Sequence, residues 1–207
     1  MDTVISPPEE RILLHDVTWE TYEQLLANYA NSSGPRFTYD RGVLEIMSPS
    51  SEHEELNDVF KLLVNALAEE WGIEARGFGS TTFRREDISR GFEPDSCFYI
   101  QSVGSIKGAT RLDLAVHPPP DLLIEIDITH PSLDKFPLYA AAGVPEVWHY
   151  DGRALKIMRL EGGGYVEARE SAAFTRLTDD VLTRFIEESG TMSRLDWLRR
   201  VRAWARA

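Results

Sequence analysis

The sequence predicts an α/β or α+β fold: a mixed central β-sheet flanked by helices and preceded by an N-terminal helix and a β-hairpin. Three patterns indicate this class. Residues 52–71 carry apolar side chains at helical spacing, and residues 134–142 form a shorter helical pattern between strands. Short apolar segments are separated by glycine and proline. Helices interspersed with such strands are typical of a sheet covered by helices.

The N-terminal part is predicted to contain an arm, a short helix and a hairpin. Residues 1–17 form the arm, and residues 1–11 of it are expected to be mobile. Thr18 can cap a helix that begins at Trp19, because its hydroxyl can accept a hydrogen bond from the first turn. Segments 37–39 and 43–47 flank a short turn that contains glycine, which predicts a β-hairpin.

The helix over residues 52–71 is the best defined element of the pattern. Ser51 is its predicted N-cap, which places Glu54 at the third helical position and allows a capping box. Gly72 is expected to end the helix, because glycine readily adopts the left-handed conformation found after helix C-termini. The apolar stripe of this helix consists of Leu56, Val59, Phe60, Leu63, Val64 and Leu67.

The remaining chain is predicted to supply more strands and a helical C-terminus. The predicted strands are residues 73–76, 80–84, 95–100, 121–128, 146–150, 155–160 and 165–169. Residues 179–207 are mostly helical in pattern, and residues 186–207 are assigned to a C-terminal amphipathic helix. This end is rich in arginine and tryptophan, so we expect a packing or dimerisation helix, with contact to DNA as the weaker interpretation.

Composition narrows the class of protein. The chain has 207 residues and a net charge of −12, which argues against tight, nonspecific binding to nucleic acid. Cys97 is the only cysteine, so no intrachain disulfide can form and a reducing compartment is expected. Neither a signal peptide nor an apolar stretch of membrane-spanning length is present in the pattern, and we expect a cytoplasmic protein without membrane contact.

Acidic residues occur where strands are otherwise apolar. Asp95 heads one predicted strand, and Glu125 and Asp127 lie within another. Successive side chains of a strand alternate between faces, so Glu125 and Asp127 share one face, opposite three isoleucines. Buried carboxylates are costly unless they are paired or bind a metal. We therefore favour a metal site here.

Two further features extend this candidate site. Lys135 follows the acidic strand and could orient a water or stabilise charge on a phosphate. On a helical wheel, Glu52 and His53 both point toward the core at the start of the long helix. Oxygen ligands such as Asp95, Glu125 and Glu52 suit Mg²⁺, or Mn²⁺, and such a site favours metal-assisted phosphodiester hydrolysis.

Four motifs of the chain belong together. They are Met47-Ser-Pro-Ser-Ser-Glu-His53, Glu93-Pro-Asp95, Pro120-Asp-Leu-Leu-Ile-Glu-Ile126 and Asp134-Lys135 followed by Tyr139-Ala-Ala-Ala-Gly-Val-Pro-Glu-Val-Trp148. In this order they resemble the Uma-type putative restriction endonuclease family of the PD-(D/E)XK nuclease superfamily. The last string is the most specific. The resemblance implies a restriction-endonuclease-like domain over residues 18–185, with a mixed sheet flanked by helices and a Mg²⁺ site.

The resemblance also implies roles for individual residues. Asp95 matches the aspartate of the PD motif, and Glu125 matches the acidic residue of the (D/E)XK motif. Asp127 stands where the superfamily has its lysine, and Lys135 matches a lysine that has moved to the following helix. Glu52 resembles the acidic residue of the first core helix. The implied activity is a Mg²⁺-dependent endonuclease with nucleic acid, DNA first, as its substrate, and we expect a homodimer.

Several alternatives stay open. Asp121, in a second Pro-Asp pair, competes with Asp95 for the metal role, and Asp127 could be a salt-bridge partner. Glu52 could simply favour the helix N-terminus, and Lys135 could be solvated. The family usually has Ser-Pro where this chain has Thr129-His130-Pro131, which leaves His130 unexplained. The alternative functions are a non-catalytic binding or assembly module and a hydrolase of small phosphorylated compounds.

Overall fold

A computed structural model of the protein describes residues 9–30, 34–128 and 133–207. The strands of this part are β1 (Glu10–Leu14), β2 (Arg36–Asp40), β3 (Val43–Ser48), β4 (Arg76–Gly77), β5 (Phe83–Arg85), β6 (Arg90–Phe92), β7 (Ser96–Tyr99), β8 (Leu122–Ile126), β9 (Glu146–Tyr150), β10 (Leu155–Glu161) and β11 (Gly164–Ala168). Its α-helices are α1 (Trp19–Tyr29), α2 (Ser51–Trp71), α3 (Phe136–Ala142), α4 (Asp179–Ser189) and α5 (Arg194–Arg206). This is the mixed α+β fold that the sequence predicts.

The central sheet has six strands in the order β11-β10-β9-β8-β7-β4. Strands β8 and β9 are parallel, and the other neighbours are antiparallel, so the sheet is mixed as expected. Every residue of β8 is buried. A strand buried on both faces reads as a continuous apolar run, which is why its Leu-Leu-Ile-Glu-Ile sequence marks it as central.

Helices cover both faces of this sheet. One core contains Phe60 and Leu63 of α2, Ile124 of β8 and residues of α4 and α5. The other core contains Leu123 of β8 and Tyr139 of α3. Because neighbouring residues of β8 point to opposite faces, this one strand joins the two cores and places Glu125 on the α3 side.

A second, antiparallel sheet has the order β1-β3-β2-β6-β5 and carries α1. The predicted hairpin is formed by β2 and β3, which pair from Arg36–Met47 to Asp40–Val43. Its two turn residues, Arg41 and Gly42, have φ angles of 48° and 97°. Positive φ at both central residues is typical of the type I′ turn that joins two-residue hairpins, and glycine adopts it at no steric cost.

Several boundaries differ from the prediction, three of them at the N-terminal arm, the start of α2 and the C-terminus. Residues 10 and 11, expected in a mobile arm, belong to β1, which pairs with β3. Ser50 rather than Ser51 caps α2, and its hydroxyl accepts from the N–H of His53. A local pattern does not separate two adjacent serines, since either can cap. The C-terminal segment predicted as one helix from residue 186 is divided between α4 and α5.

The C-terminal helix α5 packs against α2 within the same chain. Trp197 is fully buried and donates to the carbonyl of Phe185, and Trp71 donates to the carbonyl of Ala205. Each arginine of α5 faces a carboxylate: Arg194–Glu55, Arg199–Asp196, Arg200–Glu188, Arg202–Glu69 and Arg206–Glu70. The basic C-terminus therefore offsets acidic residues of the chain's own helices. Within the described ranges, no helix is long and apolar enough to cross a membrane.

Candidate active site

Asp95 is a fully buried carboxylate at the junction between the two sheets, directly before β7. Its Oδ2 accepts a hydrogen bond of 2.7 Å from the backbone N–H of Ile126. Its backbone carbonyl accepts from Nδ2 of Asn57 at 3.1 Å, and Oδ1 of Asn57 accepts from the hydroxyl of Ser96 at 2.7 Å. Strand β8 and helix α2 thus hold Asp95 from both sides.

Glu125 is the second buried carboxylate, and both of its oxygens have donors. Lys135 Nζ donates to Oε2 at 2.9 Å, and the Tyr139 hydroxyl donates to Oε1 at 2.5 Å. Lys135 directly precedes α3, so the helix start positions its ammonium over the strand. Tyr139, which the sequence analysis named only as part of the family motif, is therefore a direct partner of Glu125.

The structure brings three of the four predicted site residues together. Asp95 is bonded to Ile126, the residue that follows Glu125, and Lys135 is bonded to Glu125 itself. These contacts place two carboxylates and one ammonium at the same end of β8. The Glu-Pro-Asp and Glu-Ile motifs, 30 residues apart in sequence, meet because β7 and β8 are neighbours.

The fourth predicted residue, Glu52, lies differently from its neighbour His53. Glu52 is exposed, and no hydrogen bond or ion pair within the described ranges joins it to Asp95, Glu125 or Lys135. His53 is fully buried, with Nε2 3.2 Å from Asp95 Oδ2. The expectation that both side chains face the core is right for His53 and wrong for Glu52, because the wheel placed them on opposite sides of the apolar stripe at similar angular distances from its centre.

His53 has a neutral imidazole at physiological pH. Burial, together with the positive charge of Arg36, lowers its pKa to about 4. Although Nε2 lies close to Asp95 Oδ2, neither ring nitrogen forms a well-aligned hydrogen bond within the described ranges. A buried polar nitrogen without such a bond is unusual in a folded protein, and a neutral imidazole nitrogen is a good metal ligand.

Arg36 is a site residue that the sequence analysis missed. It lies in β2, is 7% exposed, and its Nη1 contacts Asp95 Oδ1. Its Nη2 donates to Glu54 Oε1 at 2.5 Å. Arg36 and Asp95 are 59 residues apart, so no local pattern could link them, and an arginine at the start of a strand is ordinarily exposed.

Asp127 is paired, as one of the open interpretations had it. Its two oxygens contact Arg11 at 3.0 Å and His149 at 2.9 Å. Burial acts to raise the pKa of Asp127, but the His149 hydrogen bond and the charges of Lys135 and Arg11 outweigh it and lower the pKa. Arg11, from β1, therefore supplies a cation close to where the superfamily has its lysine.

Buried carboxylates around the site are paired with buried cations within the described ranges. The carboxylates are Glu9, Glu45, Asp95, Glu125 and Asp127, and the cations joined to them are Arg11, Arg36 and Lys135. Buried charges are costly unless they are paired or bind a metal.

Hard carboxylate oxygens and a buried, neutral imidazole fit a divalent metal ion. The arrangement itself is not that of a ready-made metal site. Across the described ranges no three His, Cys, Asp or Glu side chains converge on one point. Asp95 instead contacts Arg36, and Glu125 contacts Lys135.

Two other polar residues, Asp121 and Cys97, have structural roles, and a third, His130, lies outside the described residues. Asp121 accepts from the backbone N–H groups of Ile100 and Ser102 and from the Ser102 hydroxyl, so it holds the loop after β7. Burial raises the pKa of Cys97 to about 12, which leaves its thiol protonated and unreactive. His130 and its neighbours at 129–132 lie outside the described residues.

A large cleft adjoins the site. It has a volume of 1890 Å³ and lies between α1, the first half of α2 and the segments 78–87 and 110–115. Arg36, Glu54, Asn57 and Glu93 line it. Arg36 and Asn57 also contact Asp95, so these two side chains lie between the cleft and that buried carboxylate.

Comparison with known proteins identifies the family. The Uma2 family model, described as a putative restriction endonuclease, matches residues 19–185. A crystal structure of a putative nuclease of DUF820 from Anabaena variabilis aligns with a TM-score of 0.54 and 15% identity, over 82% of this chain and 99% of that one. At this identity the likeness shows the fold alone. No curated protein matches significantly. The family match spans most of the chain, and the chain thus belongs to the Uma2 family.

Proposed function

We propose that the protein is a Mg²⁺-dependent endonuclease that hydrolyses phosphodiester bonds of nucleic acid, with DNA as the first candidate. One observation carries the proposal: two buried carboxylates, Asp95 and Glu125, meet at one end of β8 with the Lys135 ammonium on Glu125. Membership of a family of putative restriction endonucleases supports the same reaction class.

The metal would be held by Asp95 and Glu125, with His53 in the place that the sequence assigned to Glu52. A bound divalent ion supplies Lewis-acid stabilisation of phosphate charge and activation of a water. Mg²⁺ is the expected ion from the carboxylates, and Mn²⁺ would tolerate the imidazole more readily. Glu52 is exposed at the first turn of α2, where its carboxylate favours the helix N-terminus instead of binding the metal.

The other residues of the site orient these groups and handle charge. Tyr139 and Lys135 fix the two oxygens of Glu125, so that the carboxylate is preorganised. Lys135 is also the mobile cation best placed to orient the attacking water or to offset charge that builds up on the phosphate. Asn57 holds the backbone of Asp95 to α2 and keeps that carboxylate at the end of β8.

A second candidate function is a non-catalytic binding or assembly module. It is favoured by the same ion pairs, because Arg36 and Lys135 already neutralise Asp95 and Glu125. A hydrolase of small phosphorylated compounds is less well supported. Pockets for small ligands usually measure about 300–1,000 Å³, whereas this cleft measures 1890 Å³.

The oligomeric state bears on the substrate. A homodimer would supply one site for each strand of a duplex. The tryptophans of α5, Trp197 and Trp204, pack within the chain, so a dimer contact would have to use other residues. Sedimentation equilibrium of the purified protein, with and without duplex DNA, measures this state.

The test is a cleavage assay over single-stranded and double-stranded DNA and RNA with Mg²⁺ or Mn²⁺. We expect cleavage of at least one form by the wild type and none by Asp95→Asn or Glu125→Gln. Asp121→Asn, which changes the structural Pro-Asp pair, is the matched control and should cleave when folded. Cleavage that survives both site substitutions would contradict the proposal. Metal binding without cleavage of any form would favour the non-catalytic module.

A further inference from the structure

We propose that Arg36 is an exchangeable counter-cation: it pairs with Asp95 in the metal-free protein, yields Asp95 to the metal, and then binds a phosphate group of the substrate. This inference rests on the proposed function and names a phosphate subsite within it. Its basis is the double contact of the guanidinium, with Asp95 on the inner side and Glu54 on the outer side.

The two partners of Arg36 differ strongly in exposure. Asp95 is 1% exposed, whereas the Glu54 side chain is 46% exposed. The contact with Asp95 therefore lies in a region of weak screening and the contact with Glu54 lies in solvent. Arg36 is anchored by the inner carboxylate, and losing that partner frees its inner Nη group.

Asp95 cannot bind a divalent metal ion and the Arg36 guanidinium at full strength at the same time. Its Oδ2 accepts from the N–H of Ile126 and lies 3.2 Å from His53 Nε2, so Oδ1, the atom that Arg36 contacts, is the less crowded ligand position. A divalent ion at Oδ1 would also place two positive charges beside the guanidinium. Like charges at such distances repel strongly in a buried site, so metal binding and this contact exclude each other.

The released guanidinium would be able to bind a phosphate group in the cleft. Arg36 lines the 1890 Å³ cleft together with Glu54 and Asn57, at the end nearest Asp95. A planar guanidinium matches the oxygens of a phosphate group in a bidentate way. Arg84, Arg85 and Arg111 also line the cleft. Arg84 and Arg85 are paired with Glu23 and Asp87, and among the described residues Arg36 is the arginine of the cleft that contacts Asp95.

The first experiment measures Mn²⁺ binding by calorimetry in wild type and Arg36→Gln. Removal of the competing cation should tighten Mn²⁺ binding by at least about ten-fold. Arg84→Gln removes the same charge from the same cleft without touching Asp95, and should stay within about two-fold of wild type. Equal or weaker Mn²⁺ binding by folded Arg36→Gln would overturn the inference.

The second experiment measures the binding of duplex DNA at several NaCl concentrations, with and without Ca²⁺, with gels to verify intact DNA. Each phosphate contact adds about 0.9 to the slope of log affinity against log salt. Arg36→Gln should lose about that much slope with Ca²⁺ and none without it. A loss of the same size in both conditions, or in neither, would contradict the exchange.

A third measurement uses the wild type alone, in case Arg36→Gln does not fold. The side-chain nitrogens of Arg36, assigned through its own carbons, should give separate Nη resonances without metal, because each Nη group has its own carboxylate. Saturating Mg²⁺ should merge them. Separate Nη resonances that persist while the Ile126 amide shifts would overturn the exchange alone. If neither Mg²⁺ nor Mn²⁺ perturbs or binds wild type or variant, the proposed function falls as well.

Discussion

Two buried glutamates on neighbouring parallel strands, Glu125 on β8 and Glu146 on β9, are satisfied in different ways. Glu146 accepts from four neutral donors: Trp148 Nε1, the Ser171 hydroxyl and the backbone N–H groups of Ala172 and Ala173. Glu125 accepts from the ammonium of Lys135 and the hydroxyl of Tyr139. The two glutamates do not differ in exposure, since Glu146 is 1% exposed and Glu125 is 2% exposed.

The two glutamates differ in whether their hydrogen-bond donors can move away from the carboxylate. Backbone N–H groups are fixed by the fold, so the carboxylate of Glu146 ties the 171–173 segment to the sheet. Lysine and tyrosine reach Glu125 through rotatable side chains, and one of them is charged. Glu125 can therefore exchange a partner for a ligand, whereas Glu146 cannot without local unfolding. We interpret Glu146 as structural and Glu125 as functional on this ground.

The largest expected effect is on activity and comes from Glu125→Gln. This change removes the charge that would hold the metal and should lower the rate of cleavage by roughly a thousand-fold. The amide can still accept from Lys135, so the free energy of unfolding should fall by only about 1–2 kcal/mol. Cleavage rates with Mn²⁺ and urea denaturation measure both. Near-wild-type cleavage by this variant would remove the contrast between the two glutamates.

The reverse pattern is expected for Glu146→Ala. Four buried donors lose their acceptor, which should lower the free energy of unfolding by about 3–5 kcal/mol. Cleavage per folded molecule, measured well below the midpoint of thermal unfolding, should stay near that of the wild type. A loss of stability under about 1 kcal/mol would show that the clamp is not structural.

A pH-dependent effect is expected from His53, whose pKa is lowered to about 4. The folded protein keeps the imidazole neutral, while the unfolded chain takes up a proton below its ordinary pKa near 6.5. The contribution of the neutral imidazole to the free energy of unfolding is therefore fully present above pH 6.5 and is lost as the pH falls toward 4. At pH 5 the loss is about 2 kcal/mol. Urea denaturation at pH 7 and pH 5 in EDTA should show this loss in wild type and a smaller one in His53→Gln. Equal losses would mean that His53 is not held neutral.

The smallest effect is expected from Tyr139→Phe. It removes one hydrogen bond to Glu125 and leaves the ring in the core, so Mn²⁺ affinity should fall by about ten-fold. Tyr165→Phe is the matched control, because the Tyr165 hydroxyl donates to the carbonyl of Val144 instead. Calorimetry should give wild-type affinity for that control. An equal fall in both variants would indicate general loosening of the α3 side.

Elements fixed by local chemistry were predictable from the sequence. The end of α2 at Gly72, which adopts the left-handed conformation, follows from glycine. Strand β9 begins and ends where the alternation places it, and Glu125 stands out because a mid-strand glutamate requires a partner. These features depend on neighbours in sequence, so the pattern contains them.

Features that depend on distant residues were not predictable. Strand β1 exists because it pairs with β3, more than 30 residues away. Arg36 reaches Asp95 across the junction of the two sheets, and periodicity carries no sign of that contact. The exchange of Glu52 for His53 reflects the resolution of a helical wheel near a cap, where a small rotation changes which side chain is buried.

The central claim is that Asp95 and Glu125 hold a divalent metal ion, and crystals grown with Mn²⁺ test it most directly. An anomalous-difference map collected near the manganese edge should show a peak bonded to carboxylate oxygens of both residues, with Arg36 turned away from Asp95. The account would be contradicted by a map with no peak there at saturating Mn²⁺, in which Arg36 still contacts Asp95 and Lys135 still contacts Glu125.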